Sequence, residues 1–133
     1  VLPVSFIKIN YCHNIRMTPQ KNIGNKGEKI AVDYLTNKGF TIEAINWKFK
    51  YWEIDIVASN NRKLHFVEVK TRSNQYFGEP EAAITEAKLN AMKKAAQAYW
   101  EQHTEWPQIQ LDVIAIVLPK NGVPEISYFD DVF

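Results

Sequence analysis

Trp52-Glu53-Ile54-Asp55-Ile56-Val57 and His65-Phe66-Val67-Glu68-Val69-Lys70 decide how this chain folds. Both stretches alternate between apolar and polar residues, as strands do, and Ala58-Ser59-Asn60-Asn61-Arg62-Lys63 between them is rich in turn formers,. The pattern predicts a β-hairpin. A loop with an even number of residues puts Asp55, Glu68 and Lys70 on one face. A two-residue turn at Asn61-Arg62 sets Asp55 across from Glu68, and Glu53 across from Lys70. Two carboxylates and an ammonium among Ile, Val and Phe are costly to bury unless they bind something. A divalent metal is the simplest counter-ion. The competing reading is an exposed cross-strand salt pair, which many strands carry as Glu-x-Lys.

The hairpin sits in a chain of 133 residues, enough for one domain with a real core but not for two,. Its 46% hydrophobic and 23% charged fractions are ordinary for a soluble globular protein,. No apolar run approaches the roughly 20 residues that cross a bilayer, so no membrane association is expected. The first residues lack a basic segment and a small-residue cleavage site, unlike a signal peptide. A single cysteine, Cys12, allows no internal disulfide and no cysteine-based zinc site, so a reducing, cytoplasmic setting is the default expectation,.

Net charge is +1, low for a nucleic-acid-binding domain,. Its distribution is uneven. Residues 1–50 hold eight Lys/Arg against three Asp/Glu, and residues 51–133 hold eight against twelve. A basic flank beside an acidic site suits phosphate binding beside metal binding, although random surface scatter gives the same totals.

Residues 1–16 show no periodicity and precede Met17. Residues 1–21 are therefore expected to be an arm or a start-site artefact, and 22–133 a single domain; a mass for the native protein that includes Val1 would refute the artefact. A helix is predicted over Asn25–Lys38, with Ile30, Ala31, Tyr34 and Leu35 at helical spacing and Gly39 as its stop. Glu28 falls on that inward face, where either a helix-dipole role or a functional one fits. A strand over Phe40–Trp47 leads through Lys48-Phe49-Lys50-Tyr51 into the hairpin. Thr71 to Gly78 reads as a loop, and Pro80-Glu81 as the start of a long helix. The inward stripe predicted for that helix is Ile84, Ala87, Lys88, Ala91, Met92, Ala95 and Tyr99. Lys88 either snorkels to water or reaches a phosphate. Gln110–Val117 reads as a central strand interrupted by Asp112, a capped strand-end acid, and a last strand lies around Glu125–Phe129. The order α-β-β-β-α-β-β predicts an α/β sandwich in which helices flank a central mixed sheet.

Magnesium favours oxygen ligands and takes one or two carboxylates plus water and substrate phosphate. Asp55 and Glu68 fit that preference. The Val69 carbonyl could add a ligand, Glu28 could approach directly or through water, and Lys70 could hold or polarise a water. No Gly-x-Ser-x-Gly elbow is present. His13, His65 and His103 have no ligand-like spacing and read as surface or packing residues.

Gly24-x-x-Gly27-Glu28, Ala31-x-x-Tyr34-Leu35, Gly39, Glu53-Ile54-Asp55, Phe66-Val67-Glu68-Val69-Lys70-Thr71-Arg72, Phe77-Gly78, Lys88 and Asp112-Val113-Ile114 occur in an order that resembles the PD-(D/E)xK nuclease superfamily. More narrowly they resemble the small bacterial YraN-like proteins (the UPF0102 family), related to archaeal Holliday junction resolvases. The likeness runs from about Asn22 through Val117. It implies a restriction-endonuclease-like fold and a metal-dependent endonuclease, using Mg2+ or Mn2+, that acts on DNA at branched or otherwise unusual structures. By the same resemblance Asp55, Glu68 and Glu28 bind metal, Lys70 assists the attacking water, Lys88 contacts phosphate, and Arg72 is a weaker phosphate contact. A homodimer would suit the cutting of two symmetric strands. The chain departs from the family pattern at Trp52, where Gly is usual, and at Ile45, where Arg is frequent. Two other readings stand beside this one: a non-catalytic nucleic-acid-binding module, and an interaction protein whose Trp47, Trp52, Trp100 and Trp106 form a docking surface.

Overall fold

The computed structural model describes residues 19–73 and 84–132, with side chains from residue 25 onward. The element order is α1 (Pro19–Asn37), β1 (Thr41–Phe49), β2 (Trp52–Asn60), β3 (Lys63–Arg72), α2 (Glu86–Gln102), β4 (Gln108–Val117) and β5 (Glu125–Phe129). This is the predicted α-β-β-β-α-β-β order. Residues 1–18 of the expected arm, Met17 among them, lie outside the described residues, whereas residues 19–21, also expected in the arm, are helical: α1 starts at Pro19, ahead of the predicted Asn25. It ends as expected: Gly39 adopts φ +93°, and the Phe40 amide donates back to the Leu35 carbonyl at 3.0 Å,.

All five strands form one sheet in the order β1-β2-β3-β4-β5. The sheet is antiparallel except between β3 and β4, which run parallel because α2 crosses over between them,. Asn61 and Arg62 both take positive φ, 51° and 64°, as the two central residues of a tight hairpin turn must,. Asn60 pairs with Lys63 and the ladder runs to Ile56–Val67, so Asp55 and Glu68 occupy the next position. Glu53 does not face Lys70. Its ladder partner is Lys48 on β1, because paired β2–β3 residues stop at Ile56–Val67 and the outer half of β2 follows β1.

Two apolar layers hold the sheet. One joins Ala31, Val32 and Leu35 of α1 to Ile56, Val67, Ile114 and Ile116; the other joins Met92, Ala95, Ala96 and Tyr99 of α2 to Val57, Phe66 and Leu111. The helices therefore cover opposite faces. Pro80 and Glu81 lie outside the described residues, but α2 does not run from them: Ile84 and Thr85 are non-helical and the helix begins at Glu86. Thr85 is the N-cap, its hydroxyl accepting from the Lys88 amide at 3.1 Å,. The inward stripe also differs from the predicted one, because the packing of α2 on the sheet selects its face. Ala87 is exposed, while Leu89 and Ala96 face the core.

Trp47, Trp52 and Trp106 pack against the α2 layer, and the Trp100 indole donates to the Trp106 carbonyl at 2.8 Å. Three of the four tryptophans thus serve packing rather than a docking surface. Among the described residues, no helix is long and apolar enough to cross a membrane.

Candidate functional site

Glu68 lies on β3 at the point where the hairpin ladder stops, 4% exposed. Its Oε1 is 3.5 Å from the Lys70 ammonium and 3.3 Å from that of Lys88. Its Oε2 is buried and has no hydrogen-bond partner. Orphaned buried oxygens are rare because each keeps its desolvation cost uncompensated. Lys70 comes from the same strand face two residues on, and Lys88 from the first turn of α2. The Lys88 ammonium therefore turns toward Glu68, so its side chain lies beside the acids and does not run out to water.

Asp55 comes from β2, half-buried beside Glu68. One of its oxygens accepts from the Val69 amide at 2.8 Å, which bridges the two strands where ladder pairing has ended. Burial pushes its carboxyl up to about 8, and the neighbouring Glu68 adds to the rise against the Val69 hydrogen bond,. Two carboxyls forced together in a dry place resist ionising together.

Glu28 arrives from α1. Burial raises its carboxyl, an Asn46 hydrogen bond opposes that, and Glu53 and Glu68 push it further up. Its approach depends on Gly27. That residue is buried against β3, and a Cβ there would stand 1.8 Å from the Thr71 hydroxyl oxygen. Only glycine lets the helix come this close. Arg72 lies at the far end of β3, opposite Val117 on β4 and on the Glu68–Lys70 face by strand alternation,.

The five residues Glu28, Asp55, Glu68, Lys70 and Lys88 are thus brought together from two helices and two strands. Asn46 is a participant that sequence reasoning missed. It takes φ 50° within β1, between the ladder pairs Ile45–Ile56 and Trp47–Ile54, and so lies across from Asp55. An Asn, the residue type that best tolerates positive φ, between two large apolar strand residues was the available signal.

An oxygen-seeking divalent cation fits this donor set. The orphaned Glu68 Oε2 and the raised Asp55 carboxyl are both satisfied by positive charge,. Among the described residues, however, no three His, Cys, Asp or Glu side chains converge to hold a metal. The side-chain donors in closest association are the Asp55–Glu68 pair, a number that suits magnesium, which keeps water and substrate oxygens for its remaining positions.

A second buried acid lies on the α1 side of the sheet. Asp112 is fully buried within β4, not at the strand end expected for it. Its carboxylate meets His65 Nδ1 at 2.7 Å and accepts from the Tyr128 hydroxyl, from Gln110 at 2.8 Å and from the Asp131 amide at 2.9 Å. These donors outweigh burial and hold its carboxyl below the ordinary value. His65 is accordingly a packing histidine, as expected, and His103 Nδ1 donates to the Tyr99 carbonyl at the end of α2.

A family model described as "Uncharacterised protein family UPF0102" matches residues 27–116. The UPF0102 protein of Geotalea daltonii is 43% identical over 114 residues, covering 85% of this chain and 90% of its own length. Those of Dictyoglomus turgidum and Mycolicibacterium vanbaalenii are 37% and 34% identical, covering 85% and 83% of this chain and 98% and 92% of their own. The matched span holds Gly27, the three clustered acids and both lysines, and on that ground the chain belongs to the UPF0102 family.

Proposed function

We propose that this protein is a metal-dependent endonuclease that hydrolyses DNA phosphodiester bonds, with branched DNA as its preferred substrate class. One observation carries the reading: a buried Asp55–Glu68 pair with an orphaned oxygen and a carboxyl raised to about 8, flanked by two lysines. Such perturbed, converging groups mark functional sites more often than structural ones. Asp55 and Glu68 would hold Mg2+ or Mn2+, with Glu28 completing the acidic cluster directly or through water. When bound, the cation supplies Lewis acidity and neutralises charge at phosphorus.

The chain's own residues do the rest. Lys70 orients the attacking water and stabilises negative charge as it develops. Lys88, released from Glu68 when that carboxylate finds another partner, holds a phosphate oxygen, and Arg72 offers a further phosphate contact. The water attacks phosphorus in line as the opposite P–O bond to a sugar oxygen breaks; that oxygen leaves as the alcohol after taking a proton from solvent, and no covalent intermediate is required. Cleavage of a panel of branched, flapped, single-stranded and duplex DNAs with Mg2+ or Mn2+ tests this. Cutting is expected to be lost in Asp55→Asn and Lys70→Ala; cutting unaffected by either substitution refutes the site.

The two ammoniums that already pair with Glu68 favour a second reading, a non-catalytic nucleic-acid-binding module whose acid is neutralised from within the fold. Binding without cutting under both metals would select it.

A further inference from the structure

The tip of the β1–β2 hairpin is built in a way that the acidic cluster does not explain. Phe49 pairs with Trp52, leaving Lys50 and Tyr51 as a two-residue turn. Turns of this kind favour Gly, Asn or Asp, yet Lys50 takes φ 56° and Tyr51 stands 98% exposed. An aromatic ring in water gains nothing for the fold. Beneath it the chain is firmly anchored. Trp47 stacks on Phe49 at 6.0 Å and 3°, Phe49 on Trp52 at 6.0 Å and 23°, and Trp47 meets Tyr99 of α2 edge-on at 5.2 Å. Two cations lie on this shelf: the Lys50 ammonium 5.5 Å from the Phe49 ring centre, and that of Lys94 from α2 5.6 Å from Trp52.

An exposed aromatic carried on a packed aromatic shelf that also holds two lysines has the parts of a platform for an unpaired base. The ring stacks on the base whatever its identity, and the cations take the adjoining phosphates. The tip also has a fixed distance to the acids. Asp55 lies four residue steps along the chain from Tyr51, a span of ~13 Å at about 3.3 Å per residue, or roughly four nucleotides at the ~3.4 Å rise of a stacked strand. Glu53, midway, already influences Glu28 electrostatically.

We propose that Tyr51, with Lys50 and Lys94, is a stacking platform for an unpaired base of single-stranded DNA, placed a few nucleotides from the acidic cluster. The proposal rests on the DNA-directed reading above and deepens it: the substrate would be recognised by an unpaired segment beside the duplex. The site prefers flapped or gapped DNA because a paired base offers no open face to Tyr51.

Fluorescence anisotropy with wild-type protein in EDTA, where metal-dependent cutting is suppressed, tests it with two labelled DNAs, a duplex bearing a single-stranded flap and the same duplex fully paired. Tyr51→Ala is expected to weaken flap binding about tenfold, within the range for loss of one stacked base, and duplex binding by less than about twofold. Tyr51→Phe should restore flap binding. Lys50→Ala with Lys94→Ala should weaken both and flatten the salt dependence by about two phosphate contacts. A Tyr51→Ala variant that binds the flap as wild type does, or that loses flap and duplex equally, overturns the platform, as does failure of the wild type to bind either DNA. The nuclease reading fails separately: a wild type that never cuts but shows the Tyr51-dependent flap preference loses the chemistry and keeps the platform.

Discussion

Asp112 and Asp55 are both strand carboxylates inside the same sheet, and they behave oppositely. Asp112 is surrounded by donors from β3, β4, β5 and the segment after it, and its carboxyl is held below the ordinary value. Asp55 accepts from the Val69 amide, but its side-chain partner is another acid, Glu68, and its carboxyl is raised. Burial alone therefore does not mark a site. A buried acid whose needs are met inside the fold fastens strands together, whereas one whose needs are unmet waits for something from outside.

The largest expected effect comes from breaking the satisfied side of this contrast. Asp112→Ala leaves buried His65, half-buried Gln110 and Tyr128, and the Asp131 amide without their shared acceptor. Losing one partner of a buried charged network costs about 3–5 kcal/mol, a large share of the ~5–15 kcal/mol that holds a typical domain together. Urea unfolding should show that loss. Asp55→Asn should show none of it, since folded Asp55 already holds its proton up to about pH 8 and the amide keeps an oxygen to accept from the Val69 amide. If Asp55→Asn destabilises the protein as much as Asp112→Ala does, the two acids are alike and the contrast fails.

Next in size is Gly27→Ala, which sharpens the claim that α1 delivers Glu28 by close approach. The added methyl cannot coexist with the Thr71 hydroxyl at 1.8 Å, so the helix must shift, at about 1–3 kcal/mol. The double change Gly27→Ala with Thr71→Ser keeps the hydroxyl and should stay destabilised, while Thr71→Gly in place of Ser should recover much of the loss. Thermal unfolding distinguishes the two.

The third prediction concerns pH and works through sign. Folded Asp55 keeps its proton up to about 8, whereas the unfolded chain releases it near 3.8. Between those values the native state binds more protons than the unfolded one, so stability contributed here falls as pH rises from about 4 to 8 and is level above. Asp112 runs the other way: its lowered carboxyl adds stability present above its unfolded value and lost on acidification below it. Urea melts of wild type and Asp55→Asn across pH 5–8.5, without divalent ions, should differ in slope, the variant lacking the decline. Under the proposed function, Mg2+ should stabilise the wild type most at the alkaline end, by about 2.7 kcal/mol at a concentration 100-fold above its Kd. A metal effect equally large in Asp55→Asn places the cation elsewhere.

Much of the Asp55 side was legible in the sequence. The turn at Asn61-Arg62 follows from polar turn formers between two alternating runs, and it fixes which residues lie opposite each other to within one register. Glu28 and Lys88 were legible from helical spacing. The Asp112 side was much less so. Its partners come from positions 65, 110, 128 and 131, and only the parallel pairing of β3 with β4 brings the first two beside it. No local pattern encodes that pairing. The start of α2 was misread for a related reason: Pro80-Glu81 looks like a stronger helix opening than Thr85, yet the Thr85 hydroxyl caps the helix. Trp52 reads locally as an obstruction to the site but packs into the α2 layer, with the Lys94 ammonium over its ring.

The smallest effect tests how far Asp112 is oversupplied with donors. Burial and the adjacent Asp112 both raise the Tyr128 phenol, so it remains a proton donor at every pH at which the protein folds. Tyr128→Phe removes that one donor and keeps the ring, which packs beside Tyr34 and Phe40. His65, Gln110 and the Asp131 amide still face the carboxylate, so the cost should be about 1 kcal/mol, the net worth of a single hydrogen bond. A loss near that of Asp112→Ala would mean that Tyr128 alone keeps the acid ionised, and that Asp112 is as precariously satisfied as Asp55. A small loss, with DNA binding unchanged, keeps the two carboxylates in separate roles.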